Sequence, residues 1–189
     1  ITKKTRAIMA VHLYGNVCEM DSIILLKKKY KLYLIEDCAE SIGAKYKGRS
    51  VGTFGDVAAF SFHGTKTITT GEGGMFACKS KKIWQSYQLL HNMGKNPKEA
   101  KYFYLEVVGL KYKMSNLQAA LGESQLDKID YIIKMKRQIF NNYKKFLKNK
   151  NFQLNIAEKN STSTYWMTTL TIKNLKLKKD FKERLIKYC

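Results

Sequence analysis

Three short apolar runs do most to restrict what this chain can fold into. AIMAVHL (Ala7 to Leu13) ends at Tyr14-Gly15, LYLI (Leu32 to Ile35) ends at Glu36-Asp37, and VAAFSF (Val57 to Phe62) leads into His63-Gly64. Each run is too short for a buried helix and is continuous enough to be covered on both faces, as strands of a parallel sheet are. Between the first two, Asp21 can cap a helix through about Lys29, with Ile23, Ile24, Leu26 and Tyr30 at helical spacing. Parallel neighbours require a crossover of that kind. The expected fold is α/β, a mostly parallel sheet flanked by helices.

Further along, Ile42 to Gly55 reads as loop or short hairpin, and Gly71, Gly73 and Gly74 form a tight turn before a fourth strand, Met75 to Cys78. Ile83, Tyr87 and Leu90 mark an amphipathic helix. Ser115 with Gln118 fits a capping box at the start of the next. A lysine-rich helix is expected over 128–148. The polar tract Asn149 to Ser163 reads as a linker, and Tyr165 to Ile172 as a strand opening a smaller α+β unit. The division expected is therefore a large unit at 1–148 and the start of a small C-terminal unit at 149–189. The chain begins at Ile1 and ends within a helix-like stretch, Asp180 to Cys189, so a piece of a longer protein is expected, inactive by itself.

The net charge of +20 comes almost wholly from lysine, since only Arg6, Arg49, Arg137 and Arg184 are arginines. Base reading and bidentate phosphate grips favour arginine. The lysines are also spread along the chain without any nucleic-acid module signature, so a nucleic-acid partner is not expected. No apolar run approaches the roughly 20 residues that span a membrane, and no secretory signal opens the chain. A cytoplasmic location is expected. Cys18, Cys38, Cys78 and Cys189 lack metal-site spacing and read as free thiols of a reducing compartment, with no metal expected.

The chemistry-bearing residues cluster at strand ends. Asp37 ends the second strand, Ser61 lies at the end of the third, and Lys66 follows five residues later in a glycine-bearing loop. Ligands of open α/β sheets sit beyond the carboxyl ends of the strands. An acid, a hydroxyl and a lysine converging there point to a cofactor site.

Two stretches, EDCAESIGAKYKGRSVGTFGDVAAFSFHGTKTITTGEGGM and GLKYKMSNLQAALGESQLDKID, resemble the DegT/DnrJ/EryC1/StrS family of pyridoxal-phosphate sugar aminotransferases. The likeness runs from about Ala7 to Lys148, with a weaker echo at Tyr165-Trp166-Met167. It implies the type I, aspartate-aminotransferase-like fold with its N-terminal part missing. TKTITTGEGGM is most similar to members acting on GDP-linked 4-keto-6-deoxy-mannose, the perosamine-type route to surface polysaccharide. The resemblance implies that Lys66 bonds covalently to the cofactor aldehyde and ferries the proton. It gives Asp37 the pyridine nitrogen, Glu40 a place beside the ring hydroxyl, and Ser61 the phosphate. His63, Glu72 and Asn116 become candidate substrate contacts. Where family members commonly carry asparagine and arginine, this chain has Lys111 and Lys113. Lysine binds phosphate as a point charge, so Lys111 is carried over as a cofactor-phosphate contact reaching a neighbouring subunit of a homodimer. The implied partners are a nucleotide-linked keto sugar and an amino-acid donor, glutamate. Family dehydratases carry histidine in place of the cofactor lysine, and Lys66 argues against that reading. A truncated, non-catalytic remnant is the other alternative.

Overall fold

The computed structural model describes residues 1–96, 105–148 and 151–188. Cys189 and positions 149–150 of the expected linker lie outside them. The main sheet has strands β1 (Ala7–Val11), β2 (Tyr33–Asp37), β5 (Val57–Ser61) and β6 (Gly74–Cys78) in the spatial order 1-2-5-6. The first three run parallel, and β6 returns antiparallel. The expected parallel arrangement therefore holds across the strands that carry Asp37 and Ser61.

Helix α1 (Met20–Tyr30) makes the crossover from β1 to β2. Its cap is Glu19, whose carboxylate accepts the Ser22 N–H at 2.7 Å. Asp21, expected in that role, lies inside the first turn and bonds Lys47 instead. The segment expected as loop or hairpin is a hairpin of β3 (Lys45–Tyr46) and β4 (Arg49–Ser50).

Side chains alternate between the two faces of a strand, and here the alternation separates scaffold from site. Ala10, Leu34, Glu36 and Ala58 point to one face, where Met20, Val17, Tyr46 and Val51 bury them. Met9, Val11, Tyr33 and Asp37 take the other. Glu36 and Asp37, adjacent in sequence, thus face opposite ways.

Asp56 fastens the start of β5 by accepting the Leu34 N–H at 2.8 Å and the Lys27 ammonium at 2.6 Å. Burial alone would push its carboxyl up, but Lys27 and the Leu34 N–H outweigh burial and hold it below the usual carboxylate range. A folded-state value below the unfolded one stabilises above the unfolded pKa, and that contribution disappears as pH falls. Asp56→Ala is expected to cost about 1 kcal/mol at pH 7. Urea melts of the two proteins should converge as pH falls below the usual carboxylate range.

Helices α2 (Lys81–His91), α3 (Asn116–Leu126) and α4 (Ile129–Phe146) follow, with the capping box of Ser115 and Gln118 in place. The expected linker is not featureless. It contains β7 (Phe152–Leu154), which pairs with β9 (Leu170–Ile172), and β8 (Ser161–Thr162), which pairs with β3. The expected strand from Tyr165 shortens to β9, because Tyr165 has a φ of 50° and Trp166 turns inward to bond Thr65. Helix α5 (Leu175–Tyr188) closes the described chain. Among the described residues, no helix is long and apolar enough to cross a membrane.

Candidate active site

The parallel strands β1, β2 and β5 end along one edge, so the residues just past them meet there. Asp37 is the last residue of β2 and pairs in register with Ala59, two positions before Ser61. By alternation Asp37, Ala59 and Ser61 share a face. Asp37 Oδ1 accepts the N–H of Ala39 at 3.0 Å, and Oδ2 has no hydrogen-bond partner among the described residues. Ser61 Oγ accepts the His63 N–H at 3.3 Å, which leaves its own proton available for donation outward.

The loop after β5 folds back so that the Lys66 N–H bonds the His63 carbonyl at 2.9 Å. Nζ of Lys66 then lies 3.7 Å from Glu40 Oε1 and 4.3 Å from the centre of the Trp166 ring. Glu40 is itself fixed, because its other oxygen accepts the backbone N–H of Tyr14 at 2.8 Å. His63 and Glu72 form an exposed pair, Nε2 to Oε1 at 3.6 Å, on the same loop system. Gly71 at φ +79° and Gly73 at φ +154° give the turn that carries Glu72 its shape. Gln118 donates to the Glu72 carbonyl at 2.8 Å, which ties the start of α3, and with it Asn116, to that turn.

Lys111 is placed elsewhere. It forms a bridge with Asn92 at the end of α2, and no hydrogen bond among the described residues joins it to Asp37, Ser61 or Lys66. A residue expected to act in a neighbouring subunit has no reason to meet its own chain's lysine.

His12, the residue that follows β1, is fully buried. Its Nδ1 accepts the Cys18 N–H at 3.2 Å, which puts the ring proton on Nε2, 3.2 Å from Glu36 Oε2. Glu36 also accepts the N–H groups of Gly52 and Gly55. His12, Glu36 and Cys38 bring three potential ligand atoms within 4.8 Å of one another, and these hydrogen bonds commit Glu36 and His12 to the scaffold. Sequence reasoning also left Trp166 without a role.

Comparison with known proteins extends this geometry. The profile of the DegT/DnrJ/EryC1/StrS aminotransferase family matches residues 1–188. The chain belongs to that family. Among curated relatives, GDP-perosamine synthase of Escherichia coli O157:H7 is 43% identical over 185 residues, covering 98% of this chain and 50% of the relative. The enzyme of the same name from Vibrio cholerae is 44% identical over 172 residues, covering 91% and 46%. The chain thus spans about half the length of the curated relatives it matches. Among solved structures, Helicobacter pylori PseC, an aminotransferase involved in the biosynthesis of pseudoaminic acid, superposes with a TM-score of 0.90 at 27% identity. That match covers 100% of this chain and 52% of PseC. The fold expected from the sequence is therefore the fold of the family.

Proposed function

We propose that the protein to which this chain belongs is a pyridoxal-phosphate-dependent aminotransferase. It moves an amino group from glutamate to the keto carbon of a nucleotide-linked 4-keto-6-deoxy sugar, with GDP-4-keto-6-deoxy-mannose the favoured substrate. Supporting the sugar are the two relatives of 43% and 44% identity, both named GDP-perosamine synthase. Supporting the chemistry is one observation above the rest: Asp37 and Ser61 end the neighbouring parallel strands β2 and β5, and the loops that follow them bring the Lys66 amine to 3.7 Å from Glu40.

The donor set fits the cofactor. Lys66 supplies a primary amine for the aldehyde. Asp37 keeps one oxygen, without a hydrogen-bond partner among the described residues, for the ring nitrogen. Ser61 has a hydroxyl proton to give to the phosphate. When bound, pyridoxal phosphate supplies an electron sink for the carbon that exchanges its proton. A carboxylate facing the ring nitrogen holds a proton there and strengthens that sink. Lys66 Nζ would take and return the proton exchanged at that carbon. His63 and Glu72, an exposed pair on that loop system, and Asn116, at the start of the helix that Gln118 ties to the Glu72 turn, are the proposed sugar contacts.

The assembly proposed is a homodimer. Val108, Leu110, Tyr112, Leu117 and Leu121 leave an exposed apolar stretch around Lys111, as an interface would. A cytoplasmic site of action is proposed with it. Borohydride reduction of the complete protein loaded with pyridoxal phosphate should leave a pyridoxyl label on the peptide carrying Lys66. An unlabelled peptide would overturn the reading.

A further inference from the structure

We infer that Trp166 is a positioning residue for Lys66, reaching it from the far end of the chain to hold the amine where the covalent bond to the cofactor forms. The inference rests on the proposed role of Lys66 and adds a residue that role does not require.

Trp166 is 6% exposed, and its orientation is fixed from several sides. The indole N–H donates to the carbonyl of Thr65, the residue before Lys66, at 2.7 Å. The ring of Tyr14 stacks on the indole with centroids 6.3 Å apart and planes 12° from parallel. The backbone entering Trp166 is clamped to the turn after β1. Gly15 accepts the Ser163 hydroxyl at 2.8 Å and the Thr164 N–H at 3.1 Å. That approach needs glycine, since a Cβ on Gly15 would lie 2.7 Å from the backbone nitrogens of both Tyr165 and Trp166, at a φ of +88°. Arg137 of α4 donates to the Ser163 carbonyl at 2.9 Å, and Phe140 stacks on Tyr165.

A buried indole needs a partner for its N–H, and Thr65 alone would satisfy that. It does not account for the ring face lying over the lysine. With Glu40 on one side at 3.7 Å and the indole face at 4.3 Å, the amine head is held by two groups. Both are anchored on the Tyr14–Gly15 turn, Glu40 through the Tyr14 N–H and Trp166 through the stack and the clamp. A lysine side chain has four rotatable bonds, and each one fixed in advance is an ordering cost not incurred at the reaction.

The test separates ring from hydrogen bond and uses the complete protein. Trp166→Phe keeps an aromatic face and loses the N–H, whereas Trp166→Leu loses both. In cofactor-free protein, reductive methylation with formaldehyde, read at Lys66 by peptide mass spectrometry against surface lysines as internal standards, should speed up in the Leu variant and stay near wild type in the Phe variant. On adding pyridoxal phosphate, stopped-flow absorbance should show the visible band of lysine-bound cofactor forming about 2- to 30-fold more slowly in the Leu variant, the range of the side-chain ordering cost that the indole offsets, and near the wild-type rate in the Phe variant. Melting temperatures and Trp84 emission check that each variant is folded, and the Phe variant carries the comparison if the Leu variant is not. In that case wild-type behaviour of Phe supports the ring's role, and a Phe variant with a freely labelled Lys66 overturns it. If wild type forms the band and the Leu variant matches it in both measurements, this inference alone falls. If wild type forms no band, the assigned role of Lys66 falls with it.

Discussion

Lys66→Ala is expected to abolish the visible band of lysine-bound pyridoxal phosphate and to lower amino transfer by at least about 10²–10⁴-fold, the contribution of a positioned proton-transfer group alone. Lys66→Arg should fail as badly, and that variant is the sharper test. A guanidinium keeps the positive charge and can still bond Glu40, but it stays protonated at any working pH and neither attacks an aldehyde nor shuttles a proton. If Lys66 served only as a counter-ion to Glu40, 3.7 Å away, arginine would preserve function. The assay is the proposed amino transfer from glutamate to a GDP-linked keto sugar by the complete protein, read beside the absorbance spectrum. Retained band and rate in the arginine variant would remove the chemical role.

Glu36→Ala is expected to remove about 3–5 kcal/mol of folding stability, the usual cost of breaking a buried, hydrogen-bonded charge. That is a large part of the 5–15 kcal/mol that holds an ordinary domain together. The carboxylate is fully buried, and without it the N–H groups of Gly52 and Gly55 and the ring N–H of His12 lose their acceptor. Burial by itself would raise the Glu36 carboxyl, but His12, Gly55 and Gly52 outweigh burial and hold it below the ordinary range. Its contribution is thus complete at neutral pH and declines as pH drops through the acid range. Asp37→Ala should change stability by less than about 1 kcal/mol, because among the described residues Asp37 accepts only the Ala39 N–H beside it. Urea denaturation at pH 7 distinguishes the neighbours, and equal losses from both would show that the two-face assignment is mistaken.

These neighbours also show where the sequence was informative. The positions of Asp37 and Ser61 at strand ends, with Lys66 in the loop beyond, were legible because they follow apolar runs at the places where an α/β sheet delivers its residues. Glu36 was not, because a continuous apolar run shows no alternation in its residue types, and so its last acid could not be assigned a side. The burial of His12 was hidden as well, since its partner lies 24 positions away. Glu19 displaced Asp21 as the cap because both are acids that can serve, and the hydrogen bond to Ser22, with Tyr46 bonding the same carboxylate, decided between them. The strands β7 and β8 were invisible because two or three residues acquire strand geometry from a distant partner and not from propensity. For Trp166 the one available signal was an indole in a polar surrounding, which requires a hydrogen-bond acceptor without saying which.

The bond from Trp166 to Thr65 spans 101 positions, and that separation has a consequence during biosynthesis. At about 5–20 residues per second, the ribosome adds the tryptophan roughly 5–20 s after the lysine it covers. Throughout that interval the nascent sheet can be complete at β1, β2, β5 and β6 while the amine lacks its aromatic cover. Vitamin B6 aldehydes present in the cell would meet an unshielded side chain first and a seated one only after the later residues have emerged.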